Sequence, residues 1–515
     1  MAEKFYITTA IDYPNNKPHI GHAFEKIGAD VQARFRRLRG FATYFLIGND
    51  ENTIKVSRRA AELGLDPKSY VDQMADVFKA AWRDLNISND DFIQTSERRH
   101  WTGCQRFIQI VYDAGYIYRK AYEGLYCEGC EAFKTAKDLV DGRCEQHPQQ
   151  ELKVVREENY FFALSKFRDR LLALYRDHPD FVQPETRRNE VVSLVEAGLE
   201  DISITRQNLD WGIPVPFDPQ QRIYVWFDAL LNYITGIGYG TDDEKFRRWW
   251  PADMHVIGKD ITRFHCALWP AMLMAAGVEV PRRVQVHGFV LIKGAKMSKS
   301  LGNVVDPMDL VGQFGADAFR YVLLRLCPFT GDGEFSFDQF VALYNADLAN
   351  NLGNLYSRTL SMCLRYFEGN LTGTRGLVVD EVFRDLDLQR FHRELTARIE
   401  ACEYHVALGM IWESLLDRAN RYVDQTKPFE LAKTDPQRCK QVLANLAVVL
   451  RAAAIYLAPF MPTTAQKIYR AFNFHPAYDV VRWDGALPAA PLPADLQVTA
   501  ETTKGKVQPL FPRIQ

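Results

Sequence analysis

Three short strings hold side chains whose types and spacing suit chemistry. The first is Pro18-His19-Ile20-Gly21-His22. Where a helix begins, its first backbone N–H groups are unsatisfied and partially positive, so the segment is a natural phosphate site. Two imidazoles at i and i+3 share one helix face, and Gly21 between them lets a bulky ligand approach the backbone. His19 and His22 can then hydrogen-bond phosphate oxygens as charge develops on them. The second string is Lys296-Met297-Ser298-Lys299-Ser300, after Gly294-Ala295 and before Leu301-Gly302-Asn303. Lysines flanking a serine on a glycine-bounded loop suit the neutralisation of a triphosphate, and such a loop can close over leaving pyrophosphate. The third is Cys127-Glu128-Gly129-Cys130 and, thirteen residues on, Cys144-Glu145-Gln146-His147. Two ligand pairs, each with a two-residue gap, predict a tetrahedral Zn²⁺ held by Cys127, Cys130, Cys144 and His147. That set leaves no open position, so the site is structural. Taken singly, the first two strings are common on solvated surfaces, and their order and separation carry the weight.

These strings need elements to position them. Residues 5–9 read as a strand, 12–18 as a loop of turn formers, about 19–38 as a helix ending near Gly40, and 42–48 as a second buried strand. This is the opening of a doubly wound α/β domain. Helical patterns fill roughly 53–114. From about 117 to 225 short strands and turns surround the Cys/His cluster, which suggests an insertion. Strand signatures resume at 254–258 and 283–287, and from about 338 the period is almost wholly helical, a bundle. The tail at 508–513 could fold back onto another domain.

Composition sets the outer bounds. A chain of 515 residues predicts two to four domains, and 47% hydrophobic with 25% charged residues is ordinary for a globular protein. The net charge of −2 argues weakly against a polyanionic partner, but basic clusters such as Arg34–Arg39 count for more than the sum. Nine cysteines without an export signal argue against a disulfide framework. No apolar run reaches the ~18 residues that span a bilayer. An intracellular, cytoplasmic protein with no membrane partner is expected.

The histidine and lysine strings, in this order and separation, resemble the paired HIGH and KMSKS signatures of class I aminoacyl-tRNA synthetases. The cysteine knuckle in the insertion is similar to that of the one-zinc methionine branch. The resemblance covers nearly the whole chain. It implies an α/β fold: a Rossmann-type doubly wound parallel catalytic domain, split by a zinc-binding connective insertion and followed by an all-α anticodon-binding bundle. The expected limits are 1–116 and 226–290 for the two catalytic halves and 117–225 for the insertion. The KMSKS loop and stem-contact region takes 291–345, and the bundle with its tail takes 346–515. The implied activity joins methionine to tRNA(Met), initiator and elongator, through an ATP-derived adenylate. One structural Zn²⁺ and Mg²⁺ with ATP are implied, and a monomer is expected.

Site residues follow from the resemblance position by position. His19, His22, Lys296 and Lys299 are the catalytic set. Gly21, Glu25, Gly258, Asp260, Ser298 and Lys299 match the ATP site. Tyr13 matches the tyrosine that covers the amino acid, Ile11 offers its backbone N–H to the thioether, and Asp50 matches the partner of the methionine ammonium. Trp226, Ala229, Leu230 and Tyr233 match the side-chain pocket, with His287 at its floor and the Tyr233 hydroxyl as a donor to sulfur. A polarizable thioether suits such an aromatic pocket. In the helical third, Asn354 and Arg358 lie one turn apart and match the anticodon-reading helix. Phe429 in Lys427-Pro428-Phe429 replaces the usual stacking tryptophan, and weaker but intact anticodon discrimination is expected. Asp50-Glu51-Asn52-Thr53 departs from the common Asp-Glu-His-Gly, which puts the local loop geometry in question. Two other readings compete. A paralogue that has lost catalysis is disfavoured by both intact signatures, and a small HxGH nucleotidylyltransferase by the helical third.

Overall fold

The computed structural model describes residues 3–127, 132–134, 139–145, 149–207, 209–292, 295–296, 306–372, 374, 382, 385–486, 497–498, 502–503 and 506–514. Its centre is a parallel sheet of β1 (Lys4–Thr9), β2 (Ala42–Asn49), β3 (Asp91–Gln94), β4 (Val182–Gln183), β5 (Met254–Gly258) and β6 (Val284–His287). The order across the sheet is β3-β2-β1-β5-β6-β4, with every pair parallel. β1 is buried from Phe5 to Thr9 and β5 throughout, the unbroken run that a parallel sheet covered on both faces requires. Strand order reverses between β1 and β5. Ligands of doubly wound folds sit outside the carboxyl ends of the strands at such a point.

Helix α1 (Ile20–Leu38) follows β1. It is capped at its start by His19 in extended conformation and ends before Gly40, whose φ of +90° turns the chain into β2. The helical stretch read at 53–114 is interrupted by β3, which lies between the helices Pro67–Asp84 and Arg98–Asp113. Four residues are too few to show a period, and register with β2 (Leu46↔Asp91 to Asn49↔Gln94) defines the strand.

Within 117–225 an antiparallel sheet orders Ile202–Ser203, Lys153–Phe162, Ile117–Cys127 and Ala132–Lys134. The same stretch returns a two-residue strand, β4, to the edge of the catalytic sheet against β6. Insertion and catalytic body are therefore interleaved rather than consecutive. A second antiparallel trio, Thr205–Arg206, Asp218–Ile223 and Pro214–Val215, delivers the chain to the short helix Val225–Ala229.

The C-terminal third is helical. Its central helix, Pro436–Leu457, is long and apolar enough by composition to cross a membrane, yet it is buried inside the bundle. One apolar core runs from β1 and α1 through Ala316–Leu326 into this bundle. Arg320, wholly buried, donates to Asp30 Oδ2 of α1 at 2.7 Å and to the carbonyls of Leu85, Asn86, Pro459 and Phe460. Tyr404 Oη donates to Gly28 O at 2.8 Å. The tail folds back as expected: Asn345 exchanges two 3.0 Å hydrogen bonds with the backbone of Ile514, and Tyr344 Oη donates to Pro512 O at 3.0 Å.

Candidate active site

The loops leaving β1 and β2 are stitched together. Asp12 N–H donates to Gly48 O at 3.0 Å, and Asp50 N–H to Asp12 O at 2.9 Å. The chain then enters α1 at His19, whose Nδ1 accepts the Gly21 N–H at 3.1 Å, while His22 Nδ1 accepts the His19 N–H at 3.1 Å. The rings stack with centroids 3.8 Å apart. Since both Nδ1 atoms receive backbone donors, each neutral imidazole carries its proton on Nε2. Two N–H donors thus stand at the helix start. Burial, and then the Lys26 ammonium, push His22 down to about 4, so it is neutral at physiological pH.

Beneath this pair lies a buried cation that sequence reasoning passed over. Lys26 Nζ donates to Ala10 O at 2.9 Å, Asp12 Oδ1 at 3.1 Å and Glu25 Oε1 at 2.8 Å. Burial raises the Asp12 carboxyl. It would raise Glu25 too, but Lys26 and His287 outweigh it and hold Glu25 ionised. Glu25 Oε2 meets His287 Nε2 at 3.2 Å. At the end of β5, a Cβ on Gly258 would come within 2.8 Å of Asp260 Oδ1, so a side chain there would displace the Asp260 carboxylate.

On the other side of β1 and β5 an aromatic wall assembles. The Tyr13 and Trp226 rings meet edge to face at 6.5 Å, and Trp226 stacks on Phe264 at 3.9 Å. Ala229, Leu230 and Tyr233 are buried next to it, and Asp50 is buried at the end of β2. Two expectations change here. The histidine that meets the Tyr233 hydroxyl is His265, with Nε2 at 2.7 Å, whereas His287 pairs with Glu25. His265 Nδ1 lies 3.1 Å from Ile261 O, an acceptor only, so Nδ1 carries the proton and Nε2 accepts from Tyr233. Burial pushes His265 down to about 4, in keeping with that neutral tautomer. The Tyr233 proton is therefore committed to His265 and is not offered to sulfur. Phe264 and His265 open a π-helical turn, Phe264–Leu268, one turn past the Gly258-Lys259-Asp260 loop, where they were missed.

Cys127 closes the strand Ile117–Cys127, and Cys144 closes Arg143–Cys144; both are buried and neither is in a disulfide, which leaves the sulfurs able to serve as thiolate ligands. Cys130 and His147 lie outside the described residues, as do Ser298 and Lys299. The backbone of Lys296 pairs with Leu291 in a small sheet with Val290–Ile292. In the bundle Asn354 is exposed and Arg358 half-buried, the latter 3.5 Å from Asp424 Oδ1. Phe429, 45% exposed, is the second residue of the neighbouring helix Pro428–Thr434.

Imidazole donors at a helix start, placed at the switch point of a parallel sheet that an antiparallel segment interrupts, are the plan of class I aminoacyl-tRNA synthetases. The family model for class I tRNA synthetases (M) matches residues 5–152 and 135–360, and that for the anticodon-binding domain of tRNA ligases matches 387–506. The methionine–tRNA ligase of Caldanaerobacter subterraneus subsp. tengcongensis is 45% identical over 519 residues, covering 100% of this chain and 79% of that relative. That of Clostridium acetobutylicum is 43% identical, covering 99% and 78%. The structure of Mycobacterium tuberculosis methionyl-tRNA synthetase in complex with methionyl-adenylate superposes with a TM-score of 0.91 at 40% identity, over 99% of this chain and 100% of that one. The chain belongs to the methionine–tRNA ligase family.

Proposed function

We propose that this chain activates L-methionine with ATP and transfers it from the adenylate to initiator and elongator tRNA(Met), in the cytoplasm, with the following residue roles. The methionine side chain lies against Trp226, Ala229, Leu230 and Tyr233, with Tyr13 above it, the Ile11 N–H beside it and Asp50 on the ammonium. Because the Tyr233 proton goes to His265, its oxygen presents only lone pairs, and selectivity for a thioether rests on shape and polarizability. The α-carboxylate of methionine attacks the α-phosphorus of ATP and pyrophosphate leaves. The Nε2–H donors of His19 and His22 stabilise charge on the phosphates, and Lys296 and Lys299 neutralise the leaving group. Gly21, Glu25, Gly258, Asp260 and Ser298 hold the nucleotide. Mg²⁺ bound with ATP supplies further neutralisation. Cys127, Cys130, Cys144 and His147 would hold one Zn²⁺ that fixes the inserted hairpin. The 2′-hydroxyl of the terminal tRNA ribose then attacks the adenylate, while Asn354, Arg358 and Phe429 read the anticodon.

The observation that carries this reading is the pair of neutral, Nε2-protonated imidazoles beside an aromatic pocket at one switch point. The test is exchange of pyrophosphate into ATP with methionine, leucine, isoleucine, valine and cysteine compared side by side. Exchange with methionine alone is expected. Exchange with none of them, or equally with leucine, would overturn the assignment.

A further inference from the structure

Asn52 stands in the loop after β2 where the sequence departs from Asp-Glu-His-Gly, and nothing in the adenylation chemistry uses it. It is buried, and its Nδ2 donates to Asp228 Oδ2 at 2.7 Å and to Thr95 O at 3.1 Å. Both partners are acceptors, so they fix which way the amide points. Asp228 is fully buried, and its other oxygen lies 2.6 Å from His100 Nε2. The opposite ring nitrogen of His100 meets Thr235 Oγ1 at 2.7 Å. The loop gains a second anchor, since Glu51 N–H donates to Thr95 Oγ1 at 2.8 Å.

The network joins pieces that sequence keeps far apart. One end is the loop that bears Asp50. The other is the pair of short helices Val225–Ala229 and Asn232–Thr235, which bear Trp226, Ala229 and Tyr233. Between them, His100 braces Asp228 from the helix Arg98–Asp113. A metal would be a different explanation, because His100, Cys104 and Asp228 each offer a ligand atom within 4.8 Å of the others. Ligands of a tetrahedral zinc stand about 3.3 Å apart. The 2.6 Å between His100 and Asp228 is a hydrogen-bond length, and Cys104 Sγ at 3.2 Å from the same nitrogen is within hydrogen-bonding range.

We infer that Asp228, gripped by Asn52 and His100, is a positioning residue for methionine recognition: it locks the Asp50 loop at a fixed distance from the aromatic pocket. The inference rests on the assignment of Asp50 and Trp226 to methionine made above. An ammonium partner that drifts by an ångström interacts more weakly with the bound amino acid, whereas Glu25 and the His19–His22 pair make no contact with the Asn52–Asp228–His100 network.

The test uses the full chain and reads dissociation constants for methionine and for ATP separately, by equilibrium dialysis. Asn52→Ala is expected to weaken methionine binding about tenfold, since it leaves a buried carboxylate short of a partner. ATP binding should stay within about twofold, and Asn52→His, which keeps an N–H donor, should recover most of the loss. Asp50→Ala should itself weaken methionine binding, and Asp50→Ala/Asn52→Ala should be no worse than Asp50→Ala alone, because the strap acts through Asp50. Should Asn52→Ala fail to fold, Thr235→Val removes only the hydroxyl behind His100 and serves the same comparison. Unchanged methionine affinity in Asp50→Ala would sink the pocket assignment itself. A loss in Asp50→Ala with none in Asn52→Ala or Thr235→Val would sink the strap alone. Equal losses for ATP and methionine, or additive losses in the double variant, would also overturn it, since they mark general loosening.

Discussion

Because the Nδ1 atoms of His19 and His22 both accept backbone N–H groups, the Nε2–H donors proposed to meet the phosphates are present on neutral rings. In the proposed mechanism their effect then depends on placement rather than on charge. Losing one aligned donor typically costs on the order of 3–4 kcal/mol, so His22→Ala or Lys299→Ala should slow pyrophosphate exchange at least about a hundredfold while methionine affinity survives. Near-normal exchange in either variant would refute their roles. A stability consequence follows from the same ring. His22 is held down to about 4, whereas an unfolded histidine protonates near ~6.5. Below that value the unfolded chain binds more protons, so the contribution of His22 is intact above ~6.5 and erodes as pH falls toward 4. Glu51, raised by burial to about 7, acts in the opposite sense across the same window, so the informative quantity is a difference. The Tm of the parent chain minus that of His22→Gln should decrease between pH 6.5 and 4.5. A constant difference would contradict the neutral ring. The His19–His22 pair was legible because its partners lie within a few positions. Lys26, His265 and the Glu25–His287 pair were not: Glu25 and His287 are 262 positions apart, and only the fold makes them neighbours.

At the scale of elements, the sheet is most tightly specified where backbones approach one another. A Cβ on Gly48 would lie 2.1 Å from Ile93 O of the adjacent strand, which cannot yield without breaking the β2–β3 ladder. Gly48→Ala should therefore lower stability by about 1–3 kcal/mol or more, seen as an earlier urea midpoint. Gly312, in the helix Pro307–Phe314 with open space around it, is the control; there alanine should be neutral or stabilising by about 0.4–1 kcal/mol. Equal midpoints for the two variants would show that the contact is soft. Length decided which elements could be read in advance. β1, α1, β2 and β5 run long enough, or apolar enough, to show their period, and the four-residue β6 showed through its alternating Val284 and Val286. β3 and β4 have four and two residues and exist through register with neighbours, a property no local pattern encodes.

Across the whole molecule, the joint between catalytic body and bundle is polar at its centre. Arg320 is fully buried between Asp30 of α1 and the carbonyls of Pro459 and Phe460. Breaking one side of a buried pair commonly costs 3–5 kcal/mol. Arg320→Met should lower Tm and expose the bundle to protease before the catalytic body. Simultaneous cleavage of both would place the weak point elsewhere.

The 19-residue helix α1 begins beside the His19–His22 pair, and its middle packs on later helices, where Gly28 and Gln32 meet Tyr404 and Asp30 meets Arg320. A chimera carrying another synthetase's bundle would thus receive a socket cut for a different key. For such grafts to function, the second half of α1 should have to travel with the donor bundle, so that heredity, like engineering, must trade the two parts together.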